Sequence, residues 1–282
     1  MATIFNQATL SFGGVQTNSN VTEAEVLEVL SATKTAVSLD YGTGDGIAYA
    51  ISIVNSGTTP FTDVTVTDDL GAFTSGTLTL TPLDYIDGSV RYYQNGTLAA
   101  APTVTAGPPL VFSGITVPAG GNVLLIYEAK VNAFADVSAG SVITNTAVVN
   151  NGTCESVLSA EVPVREAAEL SLTKSVCPGE ITCGGEVTYT FIVRNTGNTE
   201  AVATDDVIIT DTFNPILNPI TVTYNGTAWT EGTNYTYDTA TGAFATLAGQ
   251  ITVPAATYAR DPVSGSVTVT PGTAVLTVTG TI

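Results

Sequence analysis

An internal repeat constrains the fold of this chain more than any other feature of its sequence. The segment Leu30–Lys34 returns as Leu170–Lys174, and Tyr49–Gly57 returns as Tyr189–Gly197, both 140 residues later. A repeat at this spacing indicates that one domain-sized unit occurs twice. The 282 residues are enough for two such units, each with a hydrophobic core of its own.

The residue types predict that both units are built from β-strands. Hydrophobic residues make up 44% of the chain, mostly Val, Ile, Leu and Ala interleaved with Thr, and Gly, Pro and Asn-Gly pairs interrupt them. This composition is typical of short strands and tight turns. We therefore predict an all-β chain with two tandem Ig-like or prealbumin-like β-sandwich domains. The expected division is residues 1–22 as an N-terminal donor strand and connector, 23–165 as the first sandwich and 166–282 as the second.

The second repeat lacks one strand, and a copy of that strand stands at the N-terminus. In the first repeat the long strand 123–131 is followed by an alternating strand, Ile143–Val149, whereas the corresponding long strand 274–282 is the last segment of the sequence. The same alternation places five N-terminal residues on one face, namely Ile4, Asn6, Ala8, Leu10 and Phe12. We predict that this strand of one subunit completes the second domain of its neighbour, giving a head-to-tail homopolymer. The alternative is that residues 1–22 fold back onto their own chain.

Three polar residue types occupy strand faces that are otherwise apolar. They are Lys34 and Lys174, Asp68 and Asp211, and Asn145 and Asn6. Burial lowers the pKa of a lysine and raises that of a carboxyl, so a neutral amine can attack an Asn carboxamide and release ammonia. We predict that Lys34 joins Asn145 with help from Asp68, and that Lys174 joins Asn6 of the next subunit with help from Asp211. The alternatives are hydrogen-bonded Lys–Asp pairs without a covalent bond, or a register in which these faces meet solvent.

The three cysteines are an odd number, so they cannot all pair within one chain. Cys177 and Cys183 flank a short turn and are candidates for a disulfide, which leaves Cys154 for a bond between subunits. Three reduced thiols are the other interpretation, and spacing alone does not fix the connectivity.

Charge and composition exclude several classes of function. The formal net charge is −18 with only seven basic residues, so nucleic acid is not an expected partner. The chain has no histidine, which removes His-based catalytic and metal sites. Apolar runs are too short for membrane insertion. We expect no cofactor, no metal and no turnover enzyme, with autocatalytic bond formation as the only chemistry.

The ordered motifs resemble the bacterial conserved-repeat family, domain of unknown function eleven. Those motifs are Thr33–Lys34, Tyr49–Gly57, Val64–Asp68 and Ile143–Ala147. The chain is also similar in plan to donor-strand-complemented pilins and to Gram-positive spore or cell-surface appendage subunits. The resemblance implies sandwiches at an extracellular surface, where related domains use lysine–asparagine cross-links.

Two classes of function follow from these observations. The first is a structural subunit of an extracellular filament on a cell or spore surface. The second is a two-domain adhesin that recognises a carbohydrate or a host protein through aromatic hairpins. Those aromatic residues are Tyr92, Tyr93, Tyr224, Trp229, Tyr235 and Tyr237, and ordinary cross-strand packing explains them equally well.

Overall fold

The structure, a computed structural model, describes residues 2–26 and 29–282. These residues form strands almost throughout, and the one helical segment among them is the short 3-10 turn Ala203–Asp205. The strands build an N-terminal hairpin followed by two β-sandwiches, which confirms the predicted all-β fold class. Within the described ranges, no helix has the length and apolar character that crossing a bilayer requires.

Residues 2–26 form a β-hairpin, which we call the arm. Its strands are β1 (Ala2–Asn6), β2 (Thr9–Phe12), β3 (Val15–Asn18) and β4 (Thr22–Val26). β1 pairs with β4 and β2 with β3, around a turn at Gly13 and Gly14 whose φ angles are positive. Neither pair belongs to a sheet of a sandwich. The predicted N-terminal strand therefore pairs with the residues that follow it, and the hairpin continues to Val26.

Two antiparallel sheets make up the first sandwich. Its strands are β5 (Leu30–Ala36), β6 (Gly46–Asn55), β7 (Phe61–Asp68), β8 (Phe73–Ser75), β9 (Leu78–Leu80), β10 (Leu83–Tyr85), β11 (Arg91–Gln94), β12 (Thr97–Ala99), β13 (Thr103–Thr105), β14 (Leu110–Val117), β15 (Asn122–Val131), β16 (Val142–Asn150) and β17 (Glu155–Pro163). One sheet has the order β12-β11-β15-β6-β5, with β10 beside β15, and the other has the order β13-β14-β7-β16-β17. Strands β8 and β9 form a separate hairpin.

Alternation along these strands produces the first hydrophobic core. In β6, for example, Ile47, Tyr49, Ile51 and Ile53 are fully buried and the residues between them are not. The hairpin β16–β17 completes the core from the other sheet, because β16 pairs with β7 on one side and with β17 on the other. The inward residues of β16 are at most 4% exposed, and they are Ile143, Asn145, Ala147 and Val149.

The second sandwich contains fewer strands. They are β18 (Leu170–Cys177), β19 (Glu186–Asn195), β20 (Thr210–Thr212), β21 (Ile220–Tyr224), β22 (Thr227–Trp229), β23 (Tyr235–Asp238), β24 (Ala243–Thr246), β25 (Thr257–Arg260), β26 (Val267–Thr270) and β27 (Gly272–Thr281). A five-stranded sheet, β18-β19-β27-β21-β22, faces a three-stranded sheet, β20-β24-β23, and β25–β26 is a separate hairpin.

Strand order aligns the two sandwiches and identifies what the second one lacks. The sheet β5-β6-β15-β11-β12 corresponds to β18-β19-β27-β21-β22, and β7-β14-β13 corresponds to β20-β24-β23. No strand among the described residues corresponds to the β16–β17 hairpin. As a result β20 pairs on one side only within the described part of the chain, and all eight residues of β18 are exposed. The second sandwich therefore has an open side between β18 and β20.

Polar contacts join the two sandwiches at their junction. The Arg165 carbonyl at the end of the first sandwich accepts a hydrogen bond from Asn198 Nδ2 at 3.0 Å. Asn198 donates its amide to the Val137 carbonyl at 3.0 Å. Arg260, at the end of β25, donates to the Phe134 carbonyl at 3.0 Å. These contacts favour a fixed angle between the sandwiches.

We predict that Arg260→Ala loosens this junction without unfolding either sandwich. The guanidinium also donates to Gly265 at 2.7 Å and lies 5.0 Å from the Phe73 ring, so its loss removes several contacts at once. Charged hydrogen bonds of this kind contribute about 1.5–3 kcal/mol each. Small-angle scattering should show a broader range of particle lengths. Arg91→Ala is the matched control, because the hydrogen bonds of the Arg91 guanidinium within the described residues go to its neighbours Gly88 and Val90. Equal scattering from both variants would contradict the prediction.

Candidate functional site: a buried lysine cluster and its open counterpart

Four side chains from both sheets meet in the interior of the first sandwich. Lys34 lies on β5 and Tyr127 on β15, in one sheet, whereas Asp68 ends β7 and Asn145 lies on β16, in the other. Each of the four is on the inward face of its strand, as the alternation predicts. The structure therefore brings together the three residues predicted for the first repeat and adds a tyrosine to them.

A continuous chain of hydrogen bonds links the cluster. Lys34 Nζ lies 2.7 Å from Asp68 Oδ2, and both side chains are fully buried. The Tyr127 hydroxyl donates to the same carboxylate oxygen and accepts a hydrogen bond from Asn145 Nδ2 at 3.1 Å. The backbone N–H of Gly71 donates to Asn145 Oδ1 at 3.2 Å. The Asn145 amide is thus held at both its nitrogen and its oxygen.

Burial controls the ionisation of this cluster. Loss of water lowers the pKa of Lys34 from its ordinary value, and the neighbouring Asp68 carboxylate partly opposes that change. Burial, reinforced by Asp68, raises the pKa of Tyr127 well above its ordinary value. The Tyr127 phenol therefore stays protonated and remains a hydrogen-bond donor. A lowered lysine pKa increases the fraction of neutral amine, which is the form that acts as a nucleophile.

Aromatic rings form the walls of the site. The Tyr49 ring lies 5.0 Å from Lys34 Nζ, and it stacks on Tyr127 with centroids 5.5 Å apart. The Tyr49 hydroxyl is buried and has no hydrogen-bond partner within the described part of the chain. Burial also raises the pKa of the Tyr49 phenol. These rings exclude water from the amine and the carboxylate.

The second sandwich repeats the ion pair in an open setting. The Lys174 ammonium contacts the Asp211 carboxylate, but 39% of the lysine side chain and 18% of the aspartate side chain are exposed. The amine lies 4.6 Å from the Tyr189 ring, which corresponds to Tyr49. The exposure follows from the absence of a β16 counterpart over the pair. Cross-strand register gives Val278 the place of Tyr127, because Tyr49 pairs with Tyr127 and Tyr189 with Val278.

The remaining predicted residues lie apart from these clusters. Asn6 is an exposed residue of the arm, paired with Thr22. The thiols of Cys154, Cys177 and Cys183 are exposed and free in this structure, and the proposed disulfides stay predictions. Among the described residues, no group of three or more His, Cys, Asp or Glu side chains could hold a metal ion.

Sequence reasoning missed two members of the site, Tyr127 and the Gly71 N–H. Tyr127 alternates with the buried Leu125 and Ala129 on β15, so its inward face could have been read from the sequence. Its contacts to Asp68 and Asn145 depend on how the two sheets face each other, and strand patterns do not contain that information.

The aromatic hairpins are used mainly for packing. Tyr92, Tyr235 and Tyr237 are buried. Tyr224 stacks on Trp229 with centroids 4.8 Å apart. These contacts match the cross-strand interpretation of the aromatic residues. Their use as a ligand surface stays a prediction.

Comparison with known proteins finds no matching family model and no matching curated sequence. Among solved structures, the chain is similar to the C-terminal domain of the Streptococcus agalactiae AgI/II polypeptide BspA (12% identity, 89% of this chain and 91% of that one, TM-score 0.31). It is also similar to BcpA, the major pilin subunit of Bacillus cereus (13%, 80% and 59%, TM-score 0.39), and to the pilus backbone RrgB of Streptococcus pneumoniae (11%, 86% and 55%, TM-score 0.35). Membership of the conserved-repeat family stays a prediction.

The two lysines give a matched test of burial. We predict that Lys34→Ala destabilises the first sandwich by about 3–5 kcal/mol, because the buried Asp68 carboxyl loses its partner. Lys174→Ala should cost about 1 kcal/mol or less in the unassembled protein, because that pair is partly exposed and screened by solvent. Denaturant unfolding, monitored by hydrogen exchange of the amides in each sandwich, assigns each loss of stability to the sandwich that carries the substitution. Equal losses for the two variants would contradict the assignment of the first pair as buried.

Proposed function

We propose that this chain is the structural subunit of an extracellular filament on a cell or spore surface, assembled head to tail by donor-strand exchange. The observation that carries the proposal is the open side of the second sandwich, at the place where the first sandwich holds β16. The first strand of the arm, Ile4–Phe12, has the residue pattern of β16 and is not part of either sandwich. In the filament, this strand enters the second sandwich of the neighbouring subunit.

The first sandwich supplies the register for the exchange. There Ala147 lies opposite Asp68, and Val149 lies opposite Val66. Asp211 corresponds to Asp68 and Ile209 to Val66. Aligning Asn6 with Asn145 places Ala8 opposite Asp211 and Leu10 opposite Ile209. The donated strand then buries the same alternate positions that β16 buries, and Asn6 arrives beside the Lys174–Asp211 pair.

Burial of the arm supplies a driving force for assembly. Ile4 is 56% exposed, Leu10 is 64% exposed and Phe12 is 84% exposed. Burying a side chain of this size contributes about 1.5–3 kcal/mol. The strand also pairs with the free edge of β20. Because the donor and the acceptor surfaces differ, each addition leaves a new open end, so the assembly grows as a filament.

The buried cluster of the first sandwich has the parts for an intramolecular isopeptide bond. Lys34 passes a proton to Asp68, and the neutral amine attacks Cγ of Asn145. The Gly71 N–H stabilises the developing negative charge on Oδ1. The Nζ–Cγ bond forms while the Cγ–Nδ2 bond breaks, and the proton that Asp68 took from the lysine reaches Nδ2 through the Tyr127 hydroxyl. Ammonia leaves, Nζ gives a second proton to Asp68 and keeps its third, so the products are a neutral amide and a protonated Asp68 carboxyl.

The same chemistry would lock the filament between subunits. Once the donated strand covers the open side, Lys174 and Asp211 lose their contact with water, as Lys34 and Asp68 have. Lys174 then attacks the Asn6 carboxamide of the inserted strand with Asp211 as the proton shuttle. Val278 stands where the first sandwich has Tyr127, so this bond forms without a phenol to relay the proton. We therefore expect the intersubunit bond to form more slowly than the intramolecular one.

We predict that Ala8→Asp prevents filament growth, because it puts a charge opposite Asp211 in the closed interface. Ser11→Asp is the matched control, since Ser11 belongs to the opposite face of the same strand. Negative-stain microscopy and sedimentation of the full chain should show filaments for the control and monomers for Ala8→Asp. Abundant long filaments from Ala8→Asp would refute donor-strand assembly.

A second prediction concerns the intramolecular bond. The intact mass of the Ala8→Asp monomer should be lower than the sequence mass by one ammonia. The double variant that also carries Lys34→Ala should have the mass calculated from its own sequence, with no loss of ammonia. Lys130→Ala, which removes the third lysine of the chain, should leave the ammonia loss in place because Lys130 is exposed on β15. Ammonia loss that persists in the Lys34→Ala variant would rule out this residue as the nucleophile.

The intersubunit bond has a separate readout. Assembled wild-type protein, boiled with detergent and reductant, should run as a ladder of subunit multiples, and Lys174→Ala should collapse the ladder to one band. A single band from wild-type filaments would leave donor-strand pairing intact and remove the covalent lock.

A further inference from the structure

We propose that the donated element is the whole arm and that its second strand, Val15–Val26, takes the place of β17. This inference rests on the proposed function for the first strand and adds a second interface to it. The second strand would lie outside the inserted first strand and cover β18 of the neighbouring subunit. The occupant of the open side is therefore a two-stranded hairpin from a second copy of this chain.

Between β1 and β4, the arm already has the pairing register of the β16–β17 hairpin. In the first sandwich Asn145 pairs with Ala160 and Ile143 pairs with Val162. In the arm Asn6 pairs with Thr22 and Ile4 pairs with Ala24. Thr22 therefore takes the position of Ala160, and Ala24 takes that of Val162. The four pairs from Thr3–Glu25 to Asn6–Thr22 need no rearrangement for the arm to occupy the site, whereas the β2–β3 pairs shift by one residue.

The polar face of the second strand also matches. In β17, Glu161 is exposed and lies between Ala160 and Val162, which are 7% and 0% exposed. In the arm, Glu23 lies between Thr22 and Ala24 in the same alternation. Inserted in the register of β17, the arm turns its small residues inward and keeps the Glu23 carboxylate in solvent. No unpaired charge is buried by this placement.

The surface of β18 indicates that a strand is missing above it. In the first sandwich β17 packs beside β5, and Leu30 on β5 is 8% exposed. The corresponding Leu170 on β18 is 40% exposed, and Leu172 is 52% exposed. A single inserted strand in the place of β16 pairs with β20 and leaves this surface uncovered. A hairpin covers both the edge of β20 and the apolar side of β18.

Side-chain size is redistributed between the two strands. Positions occupied by Ala32 and Ala36 on β5 carry Leu172 and Val176 on β18. The arm has Ala24 where β17 has Val162. The smaller residue at this arm position leaves part of the space that the larger residues on β18 occupy.

The test compares two parts of the acceptor surface in filaments of the full chain, with the Ala8→Asp monomer as the reference. Hydrogen exchange of residues 208–212 reports insertion of the first strand along β20. Carbene labelling of Leu172 reports coverage by the second strand. We expect slower exchange at β20 and about a twofold or larger drop in Leu172 labelling on filament formation, because Leu172 is 52% exposed and Ala32, at the corresponding position of β5, is partly buried.

The outcomes separate the inference from the proposed function. Protection of β20 with unchanged labelling of Leu172 would overturn the hairpin and keep single-strand exchange. Absence of protection at both places would overturn donor-strand exchange itself. In filaments of Ala24→Asp, labelling of Leu172 should return towards the monomer level while β20 stays protected. Glu23→Gln is the control and should label as the wild-type filament does; equal labelling of the two variants would also count against the hairpin.

Discussion

The Lys34–Asp68 pair is buried because the β16–β17 hairpin lies over it, and much of the molecule depends on that coverage. An amine and a carboxylate can be held without water only when other groups satisfy them, and here Tyr127 and Asn145 join the network. Where the hairpin is absent, the same pair at Lys174 is open to solvent. The presence or absence of this hairpin therefore decides whether the lysine–aspartate pair of a sandwich is buried or exposed to solvent.

The two sandwiches represent one fold in two states of completion. The first carries its own final hairpin, whereas the second exposes an unpaired strand edge beside an apolar surface. Exposed edges and apolar strands are hazards for ordinary soluble proteins, which block them with charges, bulges or prolines. This chain leaves the edge of β20 and the side of β18 uncovered and carries a hairpin of matching pattern at its other end. In the proposed filament, a feature that promotes aggregation in other proteins favours one defined partner.

Much of this architecture was predictable from the sequence, because the repeat compares the chain with itself. The match between Leu30–Lys34 and Leu170–Lys174 located both lysines, and strand alternation placed Asp68 and Asn145 facing inward. The pairing of the N-terminal strand with the residues after it was not predicted. Period-two alternation shows which residues share a face of a strand, but it does not show which strand lies beside it. The turn at Gly13 and Gly14 allows the N-terminal strand to pair with the segment that directly follows it.

The path of the chain through the first sandwich has a mechanical consequence. In the proposed fibre, tension would enter this sandwich at β5 and leave it along β17 towards the second sandwich. Lys34 is on the entry strand, and Asn145 is on the strand that pairs with the exit strand. The buried cluster thus lies on a short route between the two points of loading. A bond there would carry the pull across the domain while the other strands remain unloaded, so the fibre would stretch little before it breaks.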